Sequence, residues 1–182
     1  MTPRFLLVFV VVLVGLLAAE LTPPLQSLVV VPWTDLLARL SVALVTLFDP
    51  HVAAFGKIIR STANGFAITI EAGCNGVEAA IVLIAAMLAF PAPWKHRAIG
   101  ILAGLLAVQA LNVVRVISLF YLGQWSARAF EWAHLYVWQL LIMLDVLIVW
   151  LIWIRTLPTA SPLVAELAPP RANPGEAIAA VK

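Results

Sequence analysis

The sequence predicts an all-α integral membrane protein with about four transmembrane helices, an outer interfacial helix and a short outer β-hairpin. Three observations carry this. The chain of 182 residues is 64% hydrophobic and 11% charged, whereas soluble domains are about 45–50% apolar and about 25% charged. Its apolar residues gather into four runs that read as spans, three of them closed by a proline or a charged residue. Arg4, Lys95, Arg97 and Arg155 stand in the short connections at one side of those runs and orient the chain by the positive-inside rule, although Arg39, Lys57 and Arg60 fall in the long loop on the other side. A net charge of +2 on so apolar a chain is a topology signal and gives no reason to expect a nucleic-acid partner.

The first run, Phe5 to Ala19, follows Arg4 and ends at Glu20 and Thr22-Pro23-Pro24. No small-x-small cleavage site precedes the prolines, so it reads as a retained signal anchor. Leu36 to Phe48 is shorter, and Asp35, Arg39 and Asp49 keep one side polar; it reads as a helix lying in the interface, with a short fifth span as the alternative. Lys57–Arg60 and Phe66–Ile70 flank Ser61-Thr62-Ala63-Asn64-Gly65, and alternating β-formers around Asn-Gly predict a hairpin. The second span runs from Val77 to Phe90 and stops at Pro91-Ala92-Pro93. The third, Ala98 to Leu122, carries Gln109, Asn112 and Arg115; the fourth, Leu135 to Ile154, carries Asp145 and ends at Arg155. Residues 1–157 thus form one polytopic domain. Residues 158–182, rich in Pro and Ala without apolar period, predict a disordered cytoplasmic tail.

Arg4, Lys95-His96-Arg97 and Arg155 fall on one side of this arrangement, which the positive-inside rule makes cytoplasmic. Glu20–Cys74 and Gly123–His134 then face outward.

Cys74 is the single cysteine and lies in Glu71-Ala72-Gly73-Cys74-Asn75-Gly76-Val77-Glu78. Asn75 as N-cap and Glu78 three residues on make a variant of the capping box. Cys74 then sits at the positive end of a helix, a setting that lowers a thiol pKa and favours thiolate. The plainer reading is a small buried hydrophobe, which the polar Asn-Gly flank opposes. Arg115 stands inside an apolar helix, where a charge costs roughly 2.5–3.5 kcal/mol on insertion scales and usually marks function; the alternative is a snorkelling side chain. Asn112 shares its face one turn away. His134, at the mouth of the fourth span among Trp125, Trp132, Tyr136 and Trp138, would alone read as an interfacial aromatic.

The topology puts all three at the outer face, and thiol, imidazole and guanidinium are the groups acyl transfer from a peptide needs: nucleophile, proton carrier and oxyanion partner. His51 is outward-facing too and competes for the base; His96 is on the opposite side. Three scattered histidines and one cysteine have no metal-ligand spacing, and no phosphate loop or other cofactor motif occurs. Asp145 and Gln109 lie at matching depth, roughly 18–20 Å below the outer ends of their helices at about 1.5 Å per residue, so a hydrogen bond between them is expected.

The blocks "AGCNGVEAAIVLIAAMLAFP", "LNVVRVISLFYLG" and "FEWAHLYVW" resemble those of the exosortase/archaeosortase family. Cys-Asn-Gly-x-Glu with Phe-Glu-x-x-His is most similar to the exosortase H branch, and the resemblance is strongest over residues 72–138. It implies a multi-pass enzyme of the bacterial inner membrane with its active site facing the periplasm. Such an enzyme is a cysteine transpeptidase that cleaves exported proteins at a C-terminal sorting signal: a short motif, an apolar span and a basic end. For the exosortase H branch the motif is of the IPTLxxWG type. The family's catalytic residues carry over onto Cys74, Arg115 and His134, with Asn75, Glu78, Asn112 and Glu131 in supporting positions. Two other readings are a non-enzymatic scaffold for envelope export and a small transporter lined by Asn112, Arg115 and Asp145; neither needs a thiol.

Overall fold

The computed structural model describes residues 3–157; the tail expected to be disordered lies outside them. Four helices are long and apolar enough to cross a membrane, the number expected, but they are not the same four. Helix α1 is Pro3–Glu20 and matches the first run. Helix α2 is continuous from Pro23 to Val45, so the segment expected to be a short interfacial helix belongs to a 23-residue element. Its prolines do not break it. Pro23 and Pro24 occupy the first turn, where an N–H has no intrahelical partner. Pro32, which lacks a donor, stands just after a π-helical turn at Gln26–Val30, where the hydrogen-bond ladder is already displaced.

Three strands follow. β1 (Val52–Phe55), β2 (Ile58–Ser61) and β3 (Ala67–Thr69) form an antiparallel meander in the order β1-β2-β3. The expected hairpin is its second half, with Ile59 opposite Ile68. The first half was not anticipated. Its signal was Gly56-Lys57 between β-formers: Gly56 at φ 56° opens a two-residue hairpin loop.

Helix α3, Val77–Ala89, has 13 residues and is the exception among the expected spans. At about 1.5 Å per residue it covers only about 20 Å. Helix α4, Trp94–Trp125, has 32 residues, and helix α5, Ala127–Arg155, has 29. α1, α4 and α5 all pack on α3. At the end near Lys95, Phe90 meets Phe5, Trp150 and Trp153 edge to face. The Trp153 Nε1–H donates to the His96 carbonyl at 3.1 Å, and a side chain at Gly100 would collide with that indole. Small residues let helices approach closely in this way.

The opposite end of the bundle holds a second core, with Leu37 and Val45 of α2, Ile59 of β2 and Val116 and Phe120 of α4. It fastens the sheet over the N-terminal end of α3. The loop carrying Cys74 is therefore enclosed by α2, α4, α5 and the sheet.

Candidate active site

The turn Gly73–Gly76 sets the position of the thiol. Gly73 and Gly76 have φ of 82° and 75°, the left-handed region that glycine enters without Cβ strain. Gly76 is also pressed against α4: a Cβ there would lie 2.9 Å from the Gln109 amide and 3.0 Å from Asn112 Nδ2. Gly76, not Asn75, is the N-cap of α3. The two expected capping groups act one position off. Asn75 Oδ1 accepts from the Val77 N–H at 3.1 Å, and Glu78 Oε1 accepts from the Gly73 N–H at 2.6 Å.

Asn75 is displaced from the cap because it ties the loop to α2. Its side chain, 1% exposed, donates to Thr34 Oγ1 at 3.1 Å, and its carbonyl accepts from Trp33 Nε1 at 3.1 Å. Neither Trp33 nor Thr34 was singled out from sequence. Their partner is some forty residues away, and no local pattern announces such a contact.

Cys74, Arg115 and His134 come together. Cys74 Sγ lies 3.0 Å from His134 Nε2. Arg115 is 2% exposed; it points Nη2 at the same sulfur, 3.5 Å away, and donates from Nη1 to the Gly73 carbonyl at 3.4 Å. Its Nε–H is buried without a partner. A cavity of about 100 Å³ opens onto all three side chains and is walled on one side by Ile68, Thr69 and Ile70.

The thiol is not poised as the dipole argument predicts. Burial pushes the Cys74 pKa up; the Arg115 charge pulls it down, and the Glu78 and Glu71 carboxylates push it up again. Burial acts on the whole side chain, whereas Cys74 stands two residues before the N-cap and gains little from the helix end. The net shift is upward, and the imidazole lies at hydrogen-bond distance from the sulfur.

His134 lies in a π-helical turn, Ala133–Val137. The extra residue in such a turn re-aims side chains and recurs at functional sites. Its ring rests on Phe130, with centroids 5.5 Å apart. Glu131 is exposed and has no side-chain hydrogen bond among the described residues, so orientation of the imidazole falls to packing. His51 is exposed beside β1, the edge of the sheet remote from β3, and does not approach the sulfur. Asn112 is fully buried directly under Gly76, and neither side-chain atom has a partner.

The hydrogen bond expected between Gln109 and Asp145 is absent. Gln109 Nε2 donates to the Gly76 carbonyl at 3.2 Å, and Asp145 Oδ2 is buried without a partner. Depth matched, but Gln109 shares the α4 face of Asn112 and is turned towards α3. Among the described residues, no group of three His, Cys, Asp or Glu could hold a metal ion.

The model of the family described as transmembrane exosortase (EpsH) matches residues 1–153, well beyond the three blocks that carry the resemblance. No curated protein and no solved structure matches.

Proposed function

The chain belongs to the transmembrane exosortase family, and on that premise we propose that it is a membrane-embedded cysteine transpeptidase with Cys74 as nucleophile, His134 as acid–base group and Arg115 as oxyanion partner. Family membership supports a membrane transpeptidase or sorting role in general. The observation that supports this reading of the site is the geometry at one sulfur, with an imidazole nitrogen at 3.0 Å and a guanidinium nitrogen at 3.5 Å.

His134 Nε2 accepts the thiol proton as Sγ attacks the scissile carbonyl. Negative charge collects on the carbonyl oxygen, where the Arg115 guanidinium is close enough to stabilise it. The intermediate collapses by breaking the C–N bond. The imidazolium returns its proton to the leaving amine, and the acyl group stays on Cys74 as a thioester. An amine or water then attacks the thioester, again with His134 carrying the proton, and frees the thiol. A buried thiol with a raised pKa suits this sequence, because proton removal and attack are coupled.

The proposed substrates are exported proteins with a C-terminal motif, an apolar span and a basic end, met at the periplasmic face of a bacterial inner membrane. The IPTLxxWG type is the candidate motif. Of the other readings, a transporter path through Asn112, Arg115 and Asp145 finds little support, since Asp145 has no hydrogen bond to either residue. A scaffold would not need the sulfur-centred cluster.

The direct test is to trap the thioester. Purified protein incubated with a candidate substrate, quenched in acid and digested should yield a Cys74 peptide heavier by the substrate's acyl fragment. The mass should disappear with hydroxylamine. A thiol that stays unmodified while the substrate is cleaved overturns the assignment.

A further inference from the structure

β3 is the free edge of the sheet beside the reactive sulfur. It pairs with β2 on one side, and β1 lies beyond β2. The bonds from Ser61 N–H to the Phe66 carbonyl and from Ile70 N–H to the Lys57 carbonyl, 2.8 and 3.0 Å, fix the parity of that pairing. Phe66, Ile68 and Ile70 turn their backbone groups towards β2. Ala67 and Thr69, between them, turn theirs the other way, where no strand among the described residues meets them. Both residues are exposed. Proteins normally cover or blunt such an edge, because its unpaired N–H and C=O groups are a template for another chain.

The space beyond this edge is a groove. A cavity of about 280 Å³ lies between Phe66, Ile68 and Thr69 on one wall and Gly123, Ala127 and Phe130 on the other. Ile68, Thr69 and Phe130 also wall the smaller cavity that reaches Cys74 and His134. Sharing these residues, the two cavities adjoin along β3 on the way to the sulfur. Gly123 helps shape the groove, since a Cβ there would lie 2.6 Å from Phe66 Cζ.

We propose that the peptide to be cleaved binds as a fourth strand on β3, its backbone paired with Ala67 and Thr69, so that its scissile carbonyl is carried to Cys74. This deepens the transpeptidase reading and rests on it. Polarity follows from the layout. The Thr69 end of β3 is the one nearest Cys74, and the Phe66 end abuts Gly123 near the far end of α4. A substrate whose exported part lies beyond the bundle enters at Phe66, so it runs parallel to β3. In that register one substrate residue donates its N–H to the Ala67 carbonyl and accepts at its own carbonyl from the Thr69 N–H. Its immediate neighbours point their backbone away. Main-chain pairing of this kind supplies affinity with little regard to side chains.

The probe is a series of alanine peptidyl chloromethyl ketones, one to five residues long, which alkylate the thiol with loss of chloride. Cys74 alkylation in the full-length protein in detergent is measured by intact mass. The rate constant should rise about tenfold or more from the one-residue to the five-residue ketone. N-methylation of single amides should cost about three- to tenfold at alternate residues and little between them, as expected for the loss of one hydrogen bond. Thr69→Pro removes an outward N–H without touching the β2 ladder, a substitution edge strands tolerate. It should bring the five-residue and one-residue rates closer together. If the rate is independent of length, or N-methylation costs the same at every residue, strand addition is wrong while Cys74 stands as nucleophile. If no ketone alkylates Cys74 faster than a denatured thiol, the nucleophile reading fails, and strand addition with it. The methylation series on the unaltered protein decides the matter even if Thr69→Pro does not fold.

Discussion

At the level of Arg115 the bundle brings an imidazole and a guanidinium within 3.5 Å of one thiol sulfur, whereas at Asp145 a carboxyl oxygen is buried with no partner. Both are polar side chains on apolar helices, and both cost free energy to place there. The difference lies in what the neighbouring elements do. A π-helical turn carries His134 to the sulfur, two left-handed glycines lift Cys74 towards Arg115, and Trp33 and Thr34 hold the loop through Asn75. No element is bent or clamped to serve Asp145. A polar residue in a span is a candidate; the distortion of other elements towards it distinguishes the two places.

The comparison breaks outright if Cys74 is dispensable. Cys74→Ala should lower substrate processing on the order of 10⁴-fold or more, as nucleophile removal does elsewhere, with the protein still inserted and uncleaved substrate accumulating on immunoblots. His134→Ala should cost on the order of 10²- to 10⁴-fold, whereas His51→Ala, on the far side of the sheet, should cost at most about twofold. The opposite ranking of the two histidines would move the base to the loop before β1.

Arg115→Lys sharpens the outer half. A lysine keeps the charge but not the planar fork that reaches both the Gly73 carbonyl and Sγ. Activity should fall roughly 10²-fold, close to the loss in Arg115→Ala. Alkylation of Cys74 by iodoacetamide supplies an independent readout. Because burial raises the thiol pKa, the midpoint of its pH profile should lie above the ordinary value of about 8.5. Removing the lowering charge in Arg115→Gln should move that midpoint further up. By linkage, a folded pKa above the unfolded one makes the neutral thiol a stabilising group below the unfolded value. That contribution is lost as pH rises towards the folded value, so Cys74→Ala should flatten the alkaline fall in melting temperature.

Asp145 should give the smallest effects. Asp145→Asn should leave processing within about twofold. Asp145→Leu removes an orphaned polar group, whose burial costs about 1–3 kcal/mol, and should melt no lower than the parent in detergent. An inactive but well-folded Asp145→Asn protein would give the mid-bundle carboxyl a chemical role and erase the contrast.

Much of this was legible in the residues themselves. Apolar runs and loop charges placed α1, α4 and α5, and brought Cys74, Arg115 and His134 to one end. What was not legible depends on rotation and distant contact. Residue counts gave Gln109 and Asp145 the same depth but not the same facing side. Pro23 and Pro24 read as the turn that closes the first run because sequence does not show that they fill the first turn of a second helix. The role of Asn75 in holding α2 was hidden because Thr34 and Trp33 are neighbours only in the fold. β1 was recoverable, since Gly56-Lys57 between β-formers is a hairpin signal in its own right.

The brevity of α3 fixes how far the reacting bond must travel. Its Phe90 end is level with Phe5 and Trp150, while its about 20 Å length is roughly 10 Å less than a hydrocarbon core of about 30 Å. If the Phe90 end marks one boundary of that core, Cys74, three residues before α3, lies below the other boundary rather than at the rim. An extended chain advances about 3.3–3.6 Å per residue, so about three residues ahead of the scissile bond must descend below the lipid boundary. Peptide groups taken there without partners are heavily penalised. Only a segment that exchanges water for the waiting backbone of Ala67 and Thr69 can make the descent cheaply, and a folded domain edge or a helical stretch cannot. On the proposed function, selection between a substrate's sorting segment and other peptides can thus begin with depth, before any side chain is read.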